Sequence, residues 1–338
     1  MLKVAVIGTG FIGSVHAKNI ARHPNAELVA VSDANIEAAK KIAATTGAKA
    51  VTNIAEIFNN EEIQAVVIAT PTDTHVDYLK RAAQAGKAIY CEKPIGLDYK
   101  EAEQAVHTVS ATGVPVMLGF NRRFDASHAA VKQAVERGDI GKVEIVQLTS
   151  RGPKPPPISY VKVSGGQLRD QTIHFFDLLR WLTNDEPVEV YAIGAALVDP
   201  AIGEAGDVDT SIVSIRMDSG ALCQIDSSRR AAYGYDERVE VFGSEGLVES
   251  QRQSFRGVSL YKGQQILKDG LHPGWFERIE QSYYEAIDAF FLSIEKGTPP
   301  SPSLEDGLKA QLIADKATES MKTGQPVKIR FWVLGFAF

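Results

Sequence analysis

A glycine-rich turn between a short apolar run and a helix-forming stretch constrains this chain more than any other feature. The segment VAVIGTGFIG, residues 4–13, spaces Gly8, Gly10 and Gly13 as Gly-x-Gly-x-x-Gly. Glycines at this spacing let the backbone turn tightly and approach a pyrophosphate, which binds at the N-terminus of the following helix. The turn, including Phe11 and Ile12, is therefore predicted to bind a dinucleotide.

An acidic residue ends the second apolar run, VAVSDAN. Asp33 lies 20 residues beyond Gly13, where a carboxylate accepts hydrogen bonds from the adenosine ribose diol. Ala34 and Asn35 follow it, so a 2′-phosphate would meet a carboxylate with no compensating cation. The pattern favours NAD over NADP, and it argues against an ordinary tight turn of an α/β protein.

Apolar runs alternate with helical patterns through the first 120 residues. Because continuous apolar strands that alternate with helices are typical of a parallel sheet covered on both faces, we expect that architecture here. The predicted strands are residues 2–7, 27–32, 65–69, 88–91 and 114–118, and the predicted helices are residues 12–22, 36–46, 74–85 and 99–111.

Strand patterns dominate the second part of the chain. With few helices between them, these runs predict a large, mostly antiparallel sheet in a second α/β domain. The predicted strands are residues 142–150, 188–197, 209–217, 221–227, 238–242, 246–249 and 258–262, and helices are expected at residues 127–137, 276–295 and 304–322. A length of 338 residues suits two domains, which we place at residues 1–121 and 122–330.

A further helix is predicted from Gly166 to Leu182. At about 100° per residue, Asp170, His174 and Asp177 fall on one stripe of this otherwise apolar helix. Two interpretations are open: a solvated face with an ion pair four residues apart, or a functional group of side chains.

Polar residues follow the fourth predicted strand in the segment IATPTDTH. Ligands bind at the carboxyl ends of parallel strands, so Thr70 and Pro71 are expected to line the nicotinamide half of the cofactor site. His75 begins the next helix, and for it cofactor binding and simple capping or packing are equal alternatives.

The next strand ends in CEKP, residues 91–94, and further segments share a family pattern with it. With GTGFIGSVH at the start, the chain resembles the glucose-fructose oxidoreductase/inositol dehydrogenase/rhizopine catabolism family, and within it the inositol 2-dehydrogenases. The other segments that carry the resemblance are GFNRRFD (119–125), SGGQLRDQTIHFFD (164–177), VYAIGAALVDPAIGEAGDVDT (190–210) and YGYDERVEVFGSEG (233–246).

The resemblance implies a Rossmann domain, a second domain with an open sheet that is usually buried between subunits, and a homotetramer. It also implies NAD-linked oxidation of a ring hydroxyl of a cyclic polyol to a ketone. Lys93, Asp170 and His174 would be the catalytic residues, and Glu92 would border the cofactor. Substrate contacts would come from Asn121, Arg122, Asp177, Tyr233 and Tyr235.

These residue types suit alcohol oxidation. A histidine side chain such as that of His174 suits a base near neutral pH, because the unperturbed imidazole titrates close to that range, and Asp170 could orient it. The Lys93 ammonium could stabilise developing alkoxide character, and the order in which Lys93 and His174 take the proton stays open. Asn121 and Arg122 have a solvated hinge as their alternative, and of the two tyrosines Tyr235 is preferred for the site.

Gly152 departs from the family pattern. Many relatives carry an acid or asparagine there, and glycine cannot contact a substrate hydroxyl through a side chain. Gln167 and Gln171 also stand where apolar residues are usual. We therefore expect an altered preference among inositol isomers or related pyranoses.

Composition limits the other possibilities. The net charge of −6 offers no attraction to nucleic acid or to an anionic membrane, and no apolar run reaches the ~18 residues of a membrane helix. The two cysteines suggest neither a disulfide framework nor a metal site, so we expect a cytoplasmic protein without metal. The alternatives to a polyol dehydrogenase are an aldose dehydrogenase and a non-catalytic NAD(H) sensor. The apolar residues 331–338 have no assigned role.

Overall fold

The computed structural model describes residues 1–331 and divides into two compact units. The first unit comprises residues 1–124 together with 281–308, and the second comprises residues 125–280 together with the described residues from Lys309 to Phe331. The predicted boundary after residue 121 differs from this division mainly because residues 281–308 return to the first unit. They do so because one face of their helix, including Phe290, is buried in its core.

The first unit is built on a parallel sheet with the strand order β3-β2-β1-β4-β5-β6. Its central strands are buried over almost their whole length, which explains their uninterrupted apolar sequences. The strands are β1 (Leu2–Ile7), β2 (Ala26–Ser32), β3 (Lys49–Val51), β4 (Ala65–Ile68), β5 (Ala88–Cys91) and β6 (Val116–Leu118).

Helices connect these strands, and local sequence fixes several of their ends. The side chains of Asn35 and Asp98 accept hydrogen bonds from the first turns of the helices that follow them, and Gly47 ends one helix in the left-handed conformation. The helices are α1 (Phe11–Ala21), α2 (Ile36–Thr46), α3 (Ala55–Phe58), α4 (His75–Gln84) and α5 (Tyr99–Ser110). The predicted strands and helices are confirmed, whereas β3 and α3 were not predicted.

The second unit contains the larger sheet, with the strand order β12-β11-β7-β10-β9-β8-β15. Only the β7–β10 pair is parallel among its described pairings. Its strands are β7 (Val143–Arg151), β8 (Pro187–Ala195), β9 (Thr210–Met217), β10 (Leu222–Ser228), β11 (Asp236–Gly243), β12 (Gly246–Ser250) and β15 (Val327–Lys328). The fold class predicted from the sequence is therefore confirmed.

One predicted strand lies outside this sheet. Residues 258–262 contribute instead to a separate hairpin of β13 (Ser259–Lys262) and β14 (Gln265–Lys268). The remaining helices are α6 (Ala126–Glu136), α7 (Ile158–Val161), α8 (Ile173–Thr183), α9 (Pro200–Glu204), α10 (Trp275–Lys296) and α11 (Leu304–Thr323).

The two faces of the large sheet differ in burial. Inward residues such as Val146, Ile225 and Val239 are fully buried. Cross-strand partners share a face of a sheet, so the pairs Leu247–Phe242, Phe242–Ile145 and Ile145–Leu222 form one continuous row on the opposite face. Each residue of this row is 40–50% exposed, which makes the row an apolar stripe across four strands.

Residues 332–338, most of the predicted apolar tail, lie outside the described residues. Among the residues described, no helix combines the length and the apolarity needed to cross a bilayer.

Asp125 provides a test of how the second unit is stabilised. Its carboxylate caps α6 by accepting from the backbone N–H groups of Ser127 and His128, and it also accepts from buried Arg278. Asp125→Ala would leave that guanidinium buried without its partner, so we expect a loss of about 3–5 kcal/mol in the free energy of unfolding, measured by urea titration at pH 7.

The matched control is Asp199→Ala, because Asp199 caps α9 through a bond from Ala201 alone, which is worth about 1 kcal/mol. Burial acts to raise the pKa of Asp125, but the charges of His128 and Arg278 and the hydrogen bonds outweigh it, so the pKa lies below its ordinary value. The contribution of ionised Asp125 to the free energy of unfolding is therefore fully present above the unfolded pKa of about 3.9, and it is lost as the pH falls through the lower folded pKa. Equal losses in the two variants would contradict this account.

Candidate active site

The predicted glycine turn has the geometry of a phosphate-binding loop. An ideal Cβ at Gly8, where φ is +94°, would lie 2.4 Å from the carbonyl oxygen of Ala69, and one at Gly13 would lie 2.0 Å from the carbonyl oxygen of Gly8. At Gly10 the same position has no described atom within 4 Å. The fold therefore excludes side chains where the backbone packs and leaves room above the helix.

Helix α1 begins at Phe11, directly after this open position. Gly10 is its N-cap residue and provides no side-chain cap among the described residues, so the first N–H groups of the helix can bind an anion. Phe11 is exposed at the turn and Ile12 is half-buried. These features fit the pyrophosphate of a dinucleotide.

Asp33 lies beside the turn at the end of β2. Its Oδ2 atom accepts from the backbone N–H and the hydroxyl of Thr9, both at 2.8 Å, and its Oδ1 accepts from the N–H of Asn35 at 2.9 Å. Burial acts to raise the pKa of Asp33, but these hydrogen bonds outweigh it and the pKa lies below its ordinary value. A carboxylate that is reliably ionised suits a ribose diol and repels a 2′-phosphate.

The loop after β4 is tied to the loop after β5 through His75. Its Nδ1 lies 2.8 Å from the carbonyl oxygen of Pro94, and its Nε2 lies 2.9 Å from that of Thr70. Burial lowers the pKa of His75, although both carbonyls oppose that effect. With 1% of its surface exposed, His75 fits the packing alternative better than direct cofactor contact. Thr70 is half-buried and Pro71 is exposed at the strand ends.

Glu92 follows β5 and has a partner that the sequence did not reveal. His16 of α1 places its Nε2 2.7 Å from Glu92 Oε1, and the histidine is fully buried. An ideal Cβ at Gly119 would lie 2.7 Å from Glu92 Oε2, so the end of β6 is shaped around the carboxylate. A histidine on the sheet-facing side of α1 was the only available signal, because the two residues are 76 positions apart.

Lys93 and the Asn121 turn also lie on the first unit. Lys93 is half-buried and comes immediately after Glu92. Asn121 and Arg122 lie in a short 3-10 turn and are 0% and 7% exposed. Asn121 donates to the hydroxyl of Ser282 and accepts from Arg122, both at 2.8 Å. The alternative of a solvated hinge is therefore wrong.

The helix predicted from Gly166 begins differently from a regular α-helix. Leu168–Thr172 forms a π-helical turn, and α8 starts only at Ile173. The prediction that Asp170 and His174 share a stripe assumed an α-helical rotation of 100° per residue, and that assumption was wrong for the π-helical part. Single π turns are frequent at functional sites, because the extra residue alters which side chains share a face.

Asp170 lies inside this π turn and is held by neighbours of the second unit. Its Oδ1 accepts from the hydroxyl of Tyr160 at 2.8 Å, and its Oδ2 lies 3.5 Å from the Arg229 guanidinium. Arg229 also reaches the carboxylate of Asp207 at 3.4 Å. Neither Tyr160 nor Arg229 was predicted, because both come from outside the helix.

His174 and Asp177 are buried rather than solvated. They are 5% and 0% exposed, on the first two turns of α8. The alternative of a solvated ion-pair face is therefore wrong for both residues.

The two tyrosines after β10 have different environments. Tyr235 is buried and donates to Glu237 at 2.5 Å, whereas Tyr233 is 48% exposed. The Tyr233 hydroxyl donates to Asp236 at 2.8 Å and accepts from Arg151 at 3.1 Å. One tyrosine therefore packs and the other is exposed, as expected for the pair, and the preference for Tyr235 as the site residue stays a prediction.

Gly152 follows β7 and has open space where a side chain would be. Its N–H donates to the carbonyl oxygen of Ser228 at 2.8 Å, and that oxygen is the only described atom within 4 Å of an ideal Cβ, at 3.8 Å. Packing therefore does not require glycine at this position. The sequence marked Gly152 as unusual but could not show that the position is sterically free.

Comparison with known proteins extends this description over nearly the whole chain. Residues 2–120 match the oxidoreductase family with an NAD-binding Rossmann fold, and residues 128–249 match the GFO/IDH/MocA C-terminal domain. The chain belongs to the GFO/IDH/MocA oxidoreductase family. It is an NAD-dependent oxidoreductase that acts on CH–OH groups.

Individual relatives in this family are similar over their full lengths. An inositol 2-dehydrogenase of Rhizobium meliloti (strain 1021) is 44% identical, with 97% of this chain and 99% of the relative covered. The crystal structure of a myo-inositol dehydrogenase from Corynebacterium glutamicum has a TM-score of 0.94 at 38% identity, with 98% and 100% covered. A scyllo-inositol dehydrogenase from Lactobacillus casei, with NAD(H) and scyllo-inositol bound, has a TM-score of 0.91 at 28% identity, with 97% and 99% covered.

The described residues contain no group of three or more histidine, cysteine, aspartate or glutamate side chains placed to hold a metal ion.

The Asp33 carboxylate generates a test of the cofactor site. Asp33→Ala should raise the Kd for NAD by about 10- to 100-fold, since hydrogen bonds to a charged group are lost. It should also narrow the preference for NAD over NADP, because the repulsion of a 2′-phosphate disappears. Titration of intrinsic fluorescence with each nucleotide measures both effects.

Thr9→Val is the control for this test. It removes the hydroxyl bond to Asp33 but keeps the carboxylate, so the Kd for NAD should change less than about fivefold. An Asp33→Ala variant with unchanged affinity for both nucleotides would show that the ribose does not bind there.

Proposed function

We propose that this enzyme oxidises a ring hydroxyl of a cyclic polyol, myo-inositol or an isomer, to the ketone, with Lys93, Asp170 and His174 as its catalytic residues. The observation that carries the proposal is the environment of His174, a 5% exposed histidine at the second residue of α8, just after the π turn of Asp170. The similarity to inositol dehydrogenases over nearly the whole chain supports the substrate class.

The reaction requires the removal of a proton from oxygen and of a hydride from carbon. Bound NAD supplies the acceptor of the hydride. His174 takes up the hydroxyl proton directly or after Lys93, and Asp170 stabilises the imidazolium that results. Asp170 can do so because Tyr160 and Arg229 hold its carboxylate in place on the second unit.

Lys93 has a complementary electrostatic role on the first unit. Its ammonium follows β5, at the carboxyl edge of the parallel sheet, where it would donate to the reacting oxygen. The partly buried position increases the effect of its charge on developing alkoxide character.

Substrate recognition is proposed for polar side chains of each unit. Asn121, Arg122, Asp177 and Tyr233 are proposed to contact substrate hydroxyls, and buried Tyr235 is proposed to act through Glu237. The open space at Gly152 favours a change in preference among isomers.

A panel of cyclic polyols tests the proposal directly. The purified enzyme with NAD should produce the absorbance of NADH with at least one inositol isomer. Turnover of glucose-like aldoses with a higher kcat/KM than any inositol would instead favour a pyranose dehydrogenase. Binding of NAD without turnover of any compound would favour a sensor.

Variants of the catalytic residues test the assigned roles. His174→Ala should lower kcat by about 10²- to 10⁴-fold, and Lys93→Ala by about 10²- to 10³-fold, while the Kd for NAD changes little. Lys40→Ala, a change in an exposed ion pair with Glu37, is the control and should keep full activity. Retention of activity in both catalytic variants would contradict the assignment.

We also propose a homotetramer in the cytoplasm. The apolar stripe of Leu247, Phe242, Ile145 and Leu222 is the kind of surface that subunit interfaces cover, and the two cysteines are buried thiols rather than a disulfide.

Light scattering coupled to size-exclusion chromatography tests the assembly. The wild-type mass should be about four times the chain mass of 36.6 kDa. The double change Ile145→Glu with Leu222→Glu should dissociate the tetramer, because adjacent cross-strand charges would be buried. Leu197→Glu, in an exposed position outside the strands, should leave the mass unchanged. A wild-type mass of one chain would contradict the proposal.

A further inference from the structure

The side-chain amide of Gln171 is held in one orientation by the ends of two strands. Its Nε2 lies 2.8 Å from the carbonyl oxygen of Ser150, 3.1 Å from Ser150 Oγ and 3.2 Å from the carbonyl oxygen of Ser228. These serines are near the ends of β7 and β10, which are paired in parallel. An amide oxygen in the same place would face two carbonyl oxygens, so the chemistry fixes which end of the amide faces the strands.

The carbonyl oxygen of Gln171 therefore points away from the strand ends. It accepts no hydrogen bond from the residues that the structure describes, and the side chain is half-buried rather than enclosed. The next residue behaves differently. Thr172 is fully buried, and its hydroxyl is hydrogen-bonded to Ser227 Oγ at 3.1 Å.

This acceptor lies next to the open position at Gly152. The carbonyl oxygen of Ser228 accepts from both the Gln171 amide and the Gly152 N–H, at 3.2 and 2.8 Å. Gln171 follows Asp170 directly in the same π turn, and this turn ends immediately before α8. The free acceptor and the free space thus occur together, beside residues already assigned to the reaction.

The geometry points to Gln171 as a specificity-determining residue whose Oε1 accepts a hydrogen bond from one ring hydroxyl of the substrate in the space left by Gly152. This inference rests on the proposed oxidation of a cyclic polyol. A hydroxyl of one configuration reaches the acceptor, whereas its epimer leaves the acceptor without a partner when water is displaced. A site of this kind discriminates between epimers more strongly than an apolar site does.

The test compares kcat/KM for myo-inositol, scyllo-inositol and D-chiro-inositol in the wild-type enzyme and in Gln171→Leu. The variant should lower kcat/KM for the preferred isomer by about 2- to 10-fold, the range of one hydrogen bond, and should leave the least preferred isomer nearly unchanged. The ratio between isomers therefore narrows, while the Kd for NAD stays constant.

Thr172→Val is the matched control. It removes a hydrogen bond between the same π turn and one of the same two strands, β10, but it presents no acceptor to a substrate. It should lower the Tm without changing the ratio between isomers. A change in the ratio as large as that of Gln171→Leu would show that loosening of the turn is the cause, and it would overturn the inference.

A second variant keeps the test decisive if Gln171→Leu does not fold. Gly152→Ala adds a methyl group with only one described atom within 4 Å, so it fits sterically and occupies the proposed hydroxyl position. It should lower kcat/KM for the preferred isomer most. Unchanged ratios in the folded variants, with the isomers still oxidised, would overturn this inference alone. Absence of turnover by the wild-type enzyme with every isomer would overturn the proposed function and this inference with it.

Discussion

The close contact between the glycine turn and the loop after β4 is the constraint on which the cofactor site depends. Strands β1 and β4 are neighbours in the parallel sheet, and Gly8 and Ala69 follow their ends. A Cβ atom added at Gly8 would lie only 2.4 Å from the carbonyl oxygen of Ala69. Any side chain at Gly8 would push these loops apart. The N-terminus of α1 and the Asp33 carboxylate adjoin this turn, so a displacement of the turn would displace both of them.

The second unit uses a different device to position the residues proposed to react. A π turn precedes α8, and two consecutive residues of that turn, Gln171 and Thr172, bind the ends of β7 and β10 through their side chains. The turn therefore has a fixed register against the sheet, and Asp170 is held from its other side by Tyr160 and Arg229. The catalytic role proposed for Asp170 would benefit from such support, because a small displacement of a reacting group is costly in rate.

Sequence patterns predicted the first unit much better than the active-site side chains. Buried parallel strands have uninterrupted apolar sequences, and β1 and β5 were predicted to the residue. A π turn adds one residue to a helical turn but uses the same residue types as an α-helix, so the hydrophobic pattern of the sequence did not reveal it. The burial of Asn121 depends on Ser282, 161 residues away, and the partner of Glu92 is His16 in another element. Such contacts are properties of the fold and are invisible in local sequence.

Some glycines in this enzyme are required by backbone packing, whereas Gly152 is not. The first kind lies at the proposed cofactor site and the second at the proposed substrate site. Gly8 and Gly13 are enforced by backbone atoms within 2.4 and 2.0 Å of their ideal Cβ positions, so the fold cannot vary them. Gly152 has one such atom, at 3.8 Å, so the fold tolerates larger residues there. The residues that the fold enforces are those proposed to hold the cofactor, whereas a position that the fold leaves free lies beside the Gln171 acceptor. Substrate preference can therefore change at Gly152 without disturbing the cofactor site, because no packing contact of the nucleotide turn depends on it.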